Sequence, residues 1–373
     1  MLENKKIVFC IDSLAKGGAE RVVSILANKL IENNDVSIIT ILDKNVEYKL
    51  NSNIKLIQLG KGKKHIKNKT IRKIKYIFGS TNILRRMRKN FNSLKPDIII
   101  SFLPITCFFS IIANNKKYRM ILSDRNDPKQ EYSNFGYNFL MRKLYPRANG
   151  FVFQTKDAKE YFNEIIDFNK KEWNIIFNPV NPDFKNCKEI DVRKKKIVSV
   201  GRLTEQKNME LLINAFSKIY KEFPEYSLTI YGEGNKRTAL EERIKELQLT
   251  EKVFLPGITN DIKEEIYDAS LFVMSSNYEG MPNALIEAMV LGLPVISTDC
   301  PCGGPRMLIE NAKNGYLVNV GNEHELSKIM KLILSDDELR ENIGKEAKKI
   351  IDLVDIDIIN KKWENFIGLI IKE

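Results

Sequence analysis

Short apolar runs alternate with amphipathic segments along most of the chain, and this alternation is the first guide to its fold. The run Ile-Val-Phe-Cys-Ile within Lys6–Leu14 is typical of a parallel strand that is buried on both faces. Ala19–Asn33 follows it with apolar residues at helical spacing. Further strands are predicted at Val36–Leu42, Ile54–Leu59, Asp97–Leu103, Arg119–Ser123, Gly150–Thr155 and Trp173–Asn178. The alternation predicts an α/β fold with a doubly wound, Rossmann-like sheet.

The pattern breaks near the middle of the chain. Asn178-Pro-Val-Asn-Pro182 and the charged segment Lys185–Lys196 interrupt it, and alternation restarts at Ile197–Gly201. Later strands are predicted at Ser227–Tyr231, Val253–Leu255, Leu271–Met274, Pro294–Thr298 and Tyr316–Val320. The 373 residues suffice for two domains, predicted as 1–182 and 183–355, and residues 356–373 are predicted as a C-terminal helix. Two such domains predict a ligand in the cleft between them.

The most informative stretch is the loop and helix within Ser275–Pro305. Pro282 suits the first position of a helix, Gly292 suits its end, and Ala284–Leu291 is apolar on all sides apart from Glu287. A buried Glu needs a partner, which hydroxyl groups of a sugar could supply. The loop before the helix favours an anion at the backbone N–H groups of Gly280, Met281 and Asn283. The alternative is a buried helix behind an ordinary capping loop.

Three other segments place glycines or cations at predicted strand ends. Gly17-Gly18 opens the first helix, and either a tight turn or a close approach of a ligand explains it. Arg202 and Lys207 follow the strand at Ile197–Gly201 and either hold a diphosphate or are solvated. Gly232 and Gly257 are turn residues with the same two interpretations.

The sequence Glu-Gly-Met-Pro-Asn-Ala-Leu-Ile-Glu-Ala-Met, which starts at Glu279, resembles the signature of retaining glycosyltransferases of family 4. That family has the GT-B fold, in which two Rossmann-like domains face a cleft and the C-terminal helix crosses back to the first domain. The resemblance implies that Glu279 contacts the transferred sugar, that Glu287 holds the donor ribose, and that the Gly280-Met281-Pro282-Asn283 loop binds the donor. Arg202 and Lys207 would then stabilise the leaving diphosphate.

By the same resemblance, Gly17 and Gly18 approach the diphosphate, and the turns at Gly232 and Gly257 border the base. The implied activity is the transfer of a sugar, with retention, from a nucleotide-diphosphate sugar to a glycan acceptor. The donor would be a UDP-sugar such as UDP-GalNAc, UDP-GlcNAc or UDP-Gal. Gly-Gly-Ala-Glu at the start and Cys-Pro-Cys-Gly-Gly-Pro at 300–305 are similar to bacterial enzymes that extend lipid-linked glycans for surface polysaccharides such as capsule or O-antigen.

The chain departs from the family at Ser123-Asp-Arg-Asn-Asp-Pro128. Many family members have a His there that faces the transferred sugar, whereas this chain has Arg125. Asp124 and Asp127 either bind acceptor hydroxyls or cap the next turn. Asp124 and Arg125 are the residues predicted to bind the acceptor.

Cofactor and metal sites are not predicted. Five cysteines without a CxxC pair and two isolated histidines argue against zinc, and Asp355-Ile-Asp357 lies in a helical region. Arg202 and Lys207 already balance the negative charge of the donor diphosphate. Reduced thiols and the absence of a signal peptide predict a cytoplasmic location.

The net charge of +12 comes from one segment. Lys61–Asn90 holds twelve Lys or Arg and no Asp or Glu, while the remaining 48 cations equal the 48 carboxylates. The segment is predicted to bind an anionic membrane surface at the inner face of the plasma membrane. The alternative is that its apolar residues, such as Ile83, Leu84 and Met87, pack on the first domain while the cations are solvated.

Parts of the sequence are also compatible with two other classes of protein. A GT-B sugar-nucleotide epimerase would need acid/base groups facing the sugar, and none are found. A non-catalytic, basic membrane- or nucleic-acid-binding protein would need the basic segment as its main feature, but interleaved aromatics are few, so no nucleic-acid partner is expected.

Overall fold

The computed structural model describes residues 2–42, 45–60, 69–185 and 192–372, with the side chains of 69–80 excepted. The chain divides into two compact units. The first consists of Met1–Pro179 and Ile356–Glu373, and the second of Val180–Asp355. The transition between them therefore lies three residues before the position that the proline-rich segment predicts.

A parallel sheet forms the centre of the first unit. Its strands are β1 (Lys6–Ile11), β2 (Asp35–Thr40), β3 (Lys55–Gln58), β4 (Ile98–Phe102), β5 (Arg119–Ser123), β6 (Gly150–Phe153) and β7 (Glu172–Ile175). Their order in the sheet is β3-β2-β1-β4-β5-β6-β7, and each neighbouring pair is parallel. Chain order thus reverses between β1 and β4, which is where an open α/β sheet offers a crevice at its carboxyl edge.

Helices cover both faces of this sheet. They are α1 (Gly18–Leu30), α2 (Lys69–Leu94), α3 (Pro104–Asn114), α4 (Pro128–Glu131), α5 (Phe135–Leu144), α6 (Lys156–Tyr161) and, after the second unit, α15 (Ile356–Lys372). The C-terminal helix α15 packs against α1 and buries Trp363 beside Phe102 of β4. The end of the chain therefore completes the core of the first unit, as the family resemblance implies.

The second unit repeats the architecture with a sheet of six strands. They are β8 (Lys194–Val200), β9 (Ser227–Tyr231), β10 (Val253–Gly257), β11 (Ala269–Met274), β12 (Val295–Thr298) and β13 (Tyr316–Val318). Their order is β10-β9-β8-β11-β12-β13, again parallel throughout. The reversal here lies between β8 and β11.

The helices of the second unit follow their strands in the expected manner. They are α7 (Met209–Ser217), α8 (Arg237–Glu246), α9 (Ile262–Ile266), α10 (Asn283–Val290), α11 (Gly304–Leu308), α12 (Glu323–Ser335), α13 (Asp337–Lys348) and α14 (Ile351–Val354). Among them, α7 and α12 pack together over one shared apolar core, and α10 packs against β11, β12 and α13. The fold class predicted from the sequence, two doubly wound Rossmann-like domains, is confirmed.

Two local predictions were wrong. Pro282 is the N-cap of α10, with extended backbone at φ −78° and ψ 105°, and the helix begins one residue later at Asn283. Strand β8 begins at Lys194, inside the charged segment Lys185–Lys196 that was predicted to interrupt the alternation. Its lysines are satisfied there, because Lys194 pairs with Asp268 at 2.6 Å and Lys196 donates to the hydroxyl of Tyr231 at 2.9 Å.

The basic segment Lys61–Asn90 is described only in part, since 61–68 lie outside the described residues and α2 begins at Lys69. In the part with described side chains, Met87 is buried, and Ile83 and Leu84 are half-buried. For these residues the packing interpretation of the apolar spacing holds. No helix within the described residues combines the length and apolar character needed to cross a bilayer.

Candidate active site

Two loops at the carboxyl edge of the second sheet bring a cation and a carboxylate together. Lys207 lies between β8 and α7, and Glu279 lies between β11 and α10, so both follow the two strands at which chain order reverses. The Nζ of Lys207 lies 2.5 Å from the Oε1 of Glu279, and their side chains are 15% and 8% exposed. The sequence predicted both residues as site residues, and the structure pairs them at the position where this fold class binds ligands.

Hydrogen bonds of side-chain and backbone amides fix the positions of these two loops relative to each other. Asn277 donates through its backbone to the carbonyl of Gln206 at 2.8 Å and through Nδ2 to the carbonyl of Glu205 at 2.8 Å. Asn208, the N-cap of α7, donates to the Oδ1 of Asn277 at 3.0 Å. Gln206 donates to the carbonyl of Tyr278 at 3.1 Å. The Lys207–Glu279 pair is therefore placed by hydrogen bonds that do not depend on the pair itself.

Sequence reasoning missed Asn277 and Gln206 as positioning residues. The available signal was their place in the chain, because Asn277 is a polar residue soon after a buried strand and Gln206 lies between the two predicted cations. Arg202 is exposed and joins the same network, since its Nη2 donates to the Oε1 of Gln206 at 3.3 Å. The structure thus brings Arg202, Lys207 and Glu279 into one connected set.

A third loop, after β12, fixes the backbone of Glu279. The amide of Glu279 donates to the carbonyl of Pro301 at 2.5 Å, and the amide of Cys302 donates to the carbonyl of Glu279 at 2.8 Å. A Cβ at Gly304 would lie 1.7 Å from the carbonyl oxygen of Gly280, so only glycine permits this approach. Burial, together with the charge of Glu279, raises the pKa of Cys300 to about 12 and keeps that thiol protonated.

Helix α10 is buried, as its apolar sequence predicts, and Glu287 lies in its buried part. Glu287 makes an interaction within the protein, as do Met281 and Asn283, so its burial alone does not require a ligand. The donor-binding roles of Gly280, Met281, Pro282, Asn283 and Glu287 stay predictions.

The predicted glycine turns join the ends of three strands. Gly232, at φ +142°, lies so close to Gly201 that a Cβ would meet the carbonyl oxygen of Gly201 at 1.9 Å. Its amide donates to the carbonyl of Gly257 at 2.8 Å, and Gly257 itself has φ +90°. These conformations require glycine for the fold whether or not a base binds beside them.

In the first unit, Gly17 is the N-cap of α1 and Gly18 is its first residue. The hydroxyl of Tyr48 accepts from the amide of Gly17 at 2.9 Å and donates to its carbonyl at 2.7 Å. Sequence reasoning missed Tyr48. A diphosphate that uses the Gly17 amide would have to replace this hydroxyl, and the donor role of both glycines stays a prediction.

Asp127 and Asp124, the two carboxylates after β5, have different environments. Asp127 is the N-cap of α4 and accepts from the amide of Lys129 at 3.0 Å, so the capping interpretation applies to it. Asp124 is buried and accepts from the hydroxyls of Tyr132 at 2.8 Å and Tyr145 at 3.0 Å. Burial raises the pKa of Asp124 to about 7 despite these hydrogen bonds.

Arg125 is enclosed by the first unit rather than extended from it. Its guanidinium carbon lies 4.6 Å from the ring centre of Phe102 and 5.7 Å from that of Trp363. Its Nη1 donates to the Oδ1 of Asn178 at 2.9 Å, and burial lowers the pKa of Arg125 to about 9. In the described part of the chain its Nε and Nη2 have no hydrogen-bond partner. The acceptor-binding roles of Asp124 and Arg125 stay predictions.

The raised pKa of Asp124 gives a pH-dependent stability. The folded protein holds this proton up to about pH 7, whereas the reference value for an unfolded chain is 3.8. The free energy of unfolding should therefore fall by up to about 4 kcal/mol between pH 4 and pH 8, relative to the variant Asp124→Asn, which does not titrate. Urea unfolding across this pH range measures the difference. Asp35→Asn, at an exposed position of the same unit, is the control, and parallel curves for wild type and Asp124→Asn would contradict the assignment.

Among the described residues, no group of three or more His, Cys, Asp or Glu side chains could hold a metal ion. Both carboxylates of the Asp355-Ile-Asp357 sequence are in ion pairs. Asp355 pairs with Lys185, and Asp357 pairs with Lys29 at 3.0 Å.

Two family models match the chain, one in each unit. The model described as "Glycosyltransferase Family 4" matches residues 16–184, and the model "Glycosyl transferases group 1" matches residues 180–350. Among relatives, a Campylobacter jejuni protein is 30% identical over 92% of this chain and 94% of its own length. It is named N-acetylgalactosamine-N,N'-diacetylbacillosaminyl-diphospho-undecaprenol 4-alpha-N-acetylgalactosaminyltransferase. The amylovoran biosynthesis glycosyltransferase AmsD of Erwinia amylovora is 27% identical over 97% of this chain and 99% of its own length.

Solved structures show the same architecture. HepE from Anabaena in complex with UDP superposes with a TM-score of 0.80 at 16% identity, covering 98% of this chain and 100% of HepE. At this identity the likeness establishes the GT-B fold alone. The identity to the Campylobacter enzyme over nearly the whole chain, together with both family models, shows that this chain belongs to the family 4 glycosyltransferases and is a glycosyltransferase.

Proposed function

We propose that the protein is a retaining glycosyltransferase that moves a sugar from a UDP-sugar to a lipid-linked glycan during assembly of a bacterial surface polysaccharide. The observation that carries the proposal is the Lys207–Glu279 pair at the reversal point of the second sheet. The enzyme class follows from family membership. The donor is suggested by HepE, whose structure contains UDP, and by the Campylobacter relative, whose name specifies an N-acetylgalactosaminyl group.

Each residue of the connected set has a chemical task in this proposal. Transfer forms a bond from an acceptor hydroxyl oxygen to C1 of the sugar and breaks the bond between C1 and the β-phosphate oxygen. Negative charge grows on the diphosphate as that bond breaks, and the departing diphosphate takes up the proton of the acceptor hydroxyl. Lys207 and Arg202 stabilise that charge, and cations aimed at developing charge are among the strongest contributions to catalysis. Glu279 accepts hydrogen bonds from the sugar hydroxyls and holds C1 in position, and Glu287 accepts from the ribose.

The acceptor is proposed by chemistry and by likeness. The names of the Campylobacter relatives specify glycans on diphospho-undecaprenol or PP-undecaprenol, and AmsD belongs to amylovoran biosynthesis. Asp124 and Arg125 follow β5 at the carboxyl edge of the first sheet, and they are our candidates for the acceptor side.

A donor and acceptor panel tests the function. The protein would be incubated with UDP-GalNAc, UDP-GlcNAc, UDP-Gal and GDP-mannose, each with a short-chain polyprenyl-diphosphate glycan. We expect one UDP-sugar to give a product whose new linkage has the same anomeric configuration as the donor, as read by NMR. An inverted linkage would refute retention. Release of an epimerised sugar nucleotide without transfer would favour an epimerase.

Metal independence is a separate part of the proposal. Two cations beside the proposed diphosphate position would stabilise the leaving group without a divalent ion. We expect EDTA to leave turnover within about twofold, because the cations already supply the electrostatic stabilisation. Loss of turnover in EDTA, restored by Mg²⁺ or Mn²⁺, would show that a metal ion performs this task.

We also propose that the basic segment Lys61–Asn90 holds the protein at the inner face of the plasma membrane. Among its described side chains, Arg85, Arg88 and Lys89 are exposed. Arg88 donates to the carbonyl of Ile112 and Arg86 to that of Leu59, so these two arginines anchor α2 to α3 and to the end of β3. Arg85 and Lys89 are thus the informative pair to change.

Reversing Arg85 and Lys89 to Glu should weaken binding to vesicles that contain anionic lipid. Each cation near an anionic surface contributes about 1 kcal/mol, so the double variant should lose tenfold or more in affinity. Vesicle co-sedimentation at low salt measures this, and binding should fall as salt rises. Lys221→Glu with Lys328→Glu, at exposed positions in the second unit, carries the same change of charge as a control. Equal losses in both double variants would assign the effect to net charge rather than to α2.

A further inference from the structure

The helix α5 presents large apolar side chains to solvent. Phe135, Phe139 and Leu140 are 85%, 54% and 38% exposed, and we call these three residues the α5 apolar face. Phe135 and Phe139 are one helical turn apart and lie side by side, and Leu140 lies at the edge of the same exposed side of α5. Two exposed aromatic side chains one turn apart, with an exposed Leu beside them, are suited to contact an apolar environment.

The helix is well fixed, so this exposure does not come from a frayed segment. Asn134 caps α5 by accepting from the amides of Gly136 at 2.9 Å and Tyr137 at 3.4 Å. On the opposite side of the helix Met141 and Leu144 are buried. Phe135 is therefore held at the first helical position with its ring in solvent.

The surroundings of the α5 apolar face are basic. Arg142 and Lys143 lie in the last turn of α5, Lys129 and Arg147 flank the helix, and all four are exposed. None of these four forms an ion pair with a carboxylate among the described residues, and Glu131 is the one acidic residue between Pro128 and Arg147. Exposed aromatic and aliphatic side chains with cations on the same helix match the boundary of an anionic bilayer, where the rings enter the acyl region and the cations meet phosphates.

The α5 apolar face is also continuous with the basic helix. Helix α3 packs against both α2 and α5, so the three helices form one layer on the first unit. Arg88 of α2 donates to the carbonyl of Ile112 in α3 at 3.2 Å, and Ile112 is itself exposed. The exposed cations of α2 and the exposed apolar residues of α5 thus lie on helices that both pack against α3 in the first unit.

We propose that Phe135, Phe139 and Leu140 insert into an anionic membrane and supply the apolar part of its attachment. The inference deepens the proposed function and rests on its claim that the enzyme works at a membrane. Charge alone makes binding salt-sensitive, whereas insertion adds a component that salt does not screen. The protein should accordingly retain part of its vesicle binding at high salt, and that part should depend on the α5 apolar face.

A fluorescent probe tests insertion directly. Phe139→Cys would be labelled with an environment-sensitive dye in a chain where Cys187, which lies outside the described residues, is changed to Ser. The other cysteines are buried and should not react. We expect the emission to shift to the blue with vesicles containing phosphatidylglycerol. The same dye at Phe254→Cys, a 45% exposed aromatic in the second unit, should not shift. Co-sedimentation without a shift at position 139 would overturn insertion.

A second experiment separates this inference from the enzymatic proposal. The variant Phe135→Ser, Phe139→Ser, Leu140→Ser should lose tenfold or more in vesicle binding at high salt, while hydrolysis of the UDP-sugar in the absence of vesicles stays unchanged. Phe254→Ser is the matched control. Unchanged high-salt binding in the triple variant would refute the inference and leave the transferase proposal standing. An inactive wild-type protein that still shows the probe shift would refute the transferase proposal and leave insertion standing.

Discussion

Replacing Glu279 by Gln should lower the turnover number by about a hundredfold or more, as happens when one preorganised contact to the transition state is lost. The amide keeps the size of the side chain but not its charge, and the backbone bonds to Pro301 and Cys302 do not involve the side chain. The fold should therefore survive. Binding of UDP should stay equal or become tighter, because Lys207 is no longer partly neutralised by its partner.

The combination of lower turnover and undiminished UDP affinity is what distinguishes a catalytic Glu279 from a structural one. Turnover would be measured under saturating donor, and UDP binding by calorimetry. Glu222→Gln is the matched control, since Glu222 forms an exposed ion pair with Lys331 in the same unit. Wild-type turnover in a folded Glu279→Gln protein would remove Glu279 from the mechanism. A somewhat lower melting temperature is expected because Lys207 loses its partner, whereas weaker UDP binding would indicate that the role of Glu279 is to support the loop.

The fold could be predicted because its signals are local. Strands β5 and β9 begin and end at the residues that the apolar runs indicate, Arg119–Ser123 and Ser227–Tyr231. Each strand has a short apolar or β-branched centre, Met120–Leu122 or Leu228–Tyr231, next to a polar residue, so the sequence of the segment itself marks the strand. Alternation with helical segments then leaves a doubly wound sheet as the expected arrangement.

The first residue of β8 could not be predicted from the nearby sequence alone. The three lysines at 194–196 were predicted to belong to the charged segment that interrupts the alternation, yet they begin the strand. Lys194 finds Asp268, and Lys196 finds the Tyr231 hydroxyl and the carbonyl of Glu265, so partners distant in the chain satisfy these charges. Such partners cannot be read from the segment itself.

The sequence predicted which residues belong to the candidate site, but it did not predict how they are arranged in space. Family likeness pointed to Lys207 and Glu279 separately, whereas their ion pair joins positions 72 residues apart. Asn277 and Gln206, which align the two loops, belong to no motif recognised in the sequence. Their roles appear only when β8 and β11 become neighbours in the sheet.

For Arg125 the sequence suggested a role, but the structure gives this residue surroundings that the sequence did not indicate. Its position after β5 suggested a group facing the transferred sugar, but its guanidinium stacks on Phe102 and Trp363 and donates to Asn178. Trp363 comes from the last helix of the chain, so this environment could not be inferred from residues near Arg125. A buried, stacked guanidinium is expected to stabilise the packing of α15, whichever ligand it also meets.

Removing the charge of Lys207 should have an effect of similar size on catalysis, with a different signature. Lys207→Ala eliminates a cation that we place against the leaving diphosphate, so turnover should fall by about a hundredfold. Charge-assisted bonds to phosphate contribute more than neutral ones, and the β-phosphate is the group that should lose such a bond. The affinity for UDP should therefore fall by about tenfold or more, while the affinity for UMP changes little.

The ratio of UDP to UMP affinity is the decisive measurement, because a general loss of structure would weaken both nucleotides alike. Removing one partner of a shielded ion pair also leaves the other uncompensated, so Lys207→Ala should unfold at a lower temperature than wild type. The double variant Lys207→Ala, Glu279→Gln should recover much of that stability but none of the turnover. Lys218→Ala, which breaks an exposed pair with Glu323, serves as the control and should alter neither the ratio nor the turnover. An unchanged UDP to UMP ratio in folded Lys207→Ala would show that the leaving diphosphate is stabilised elsewhere.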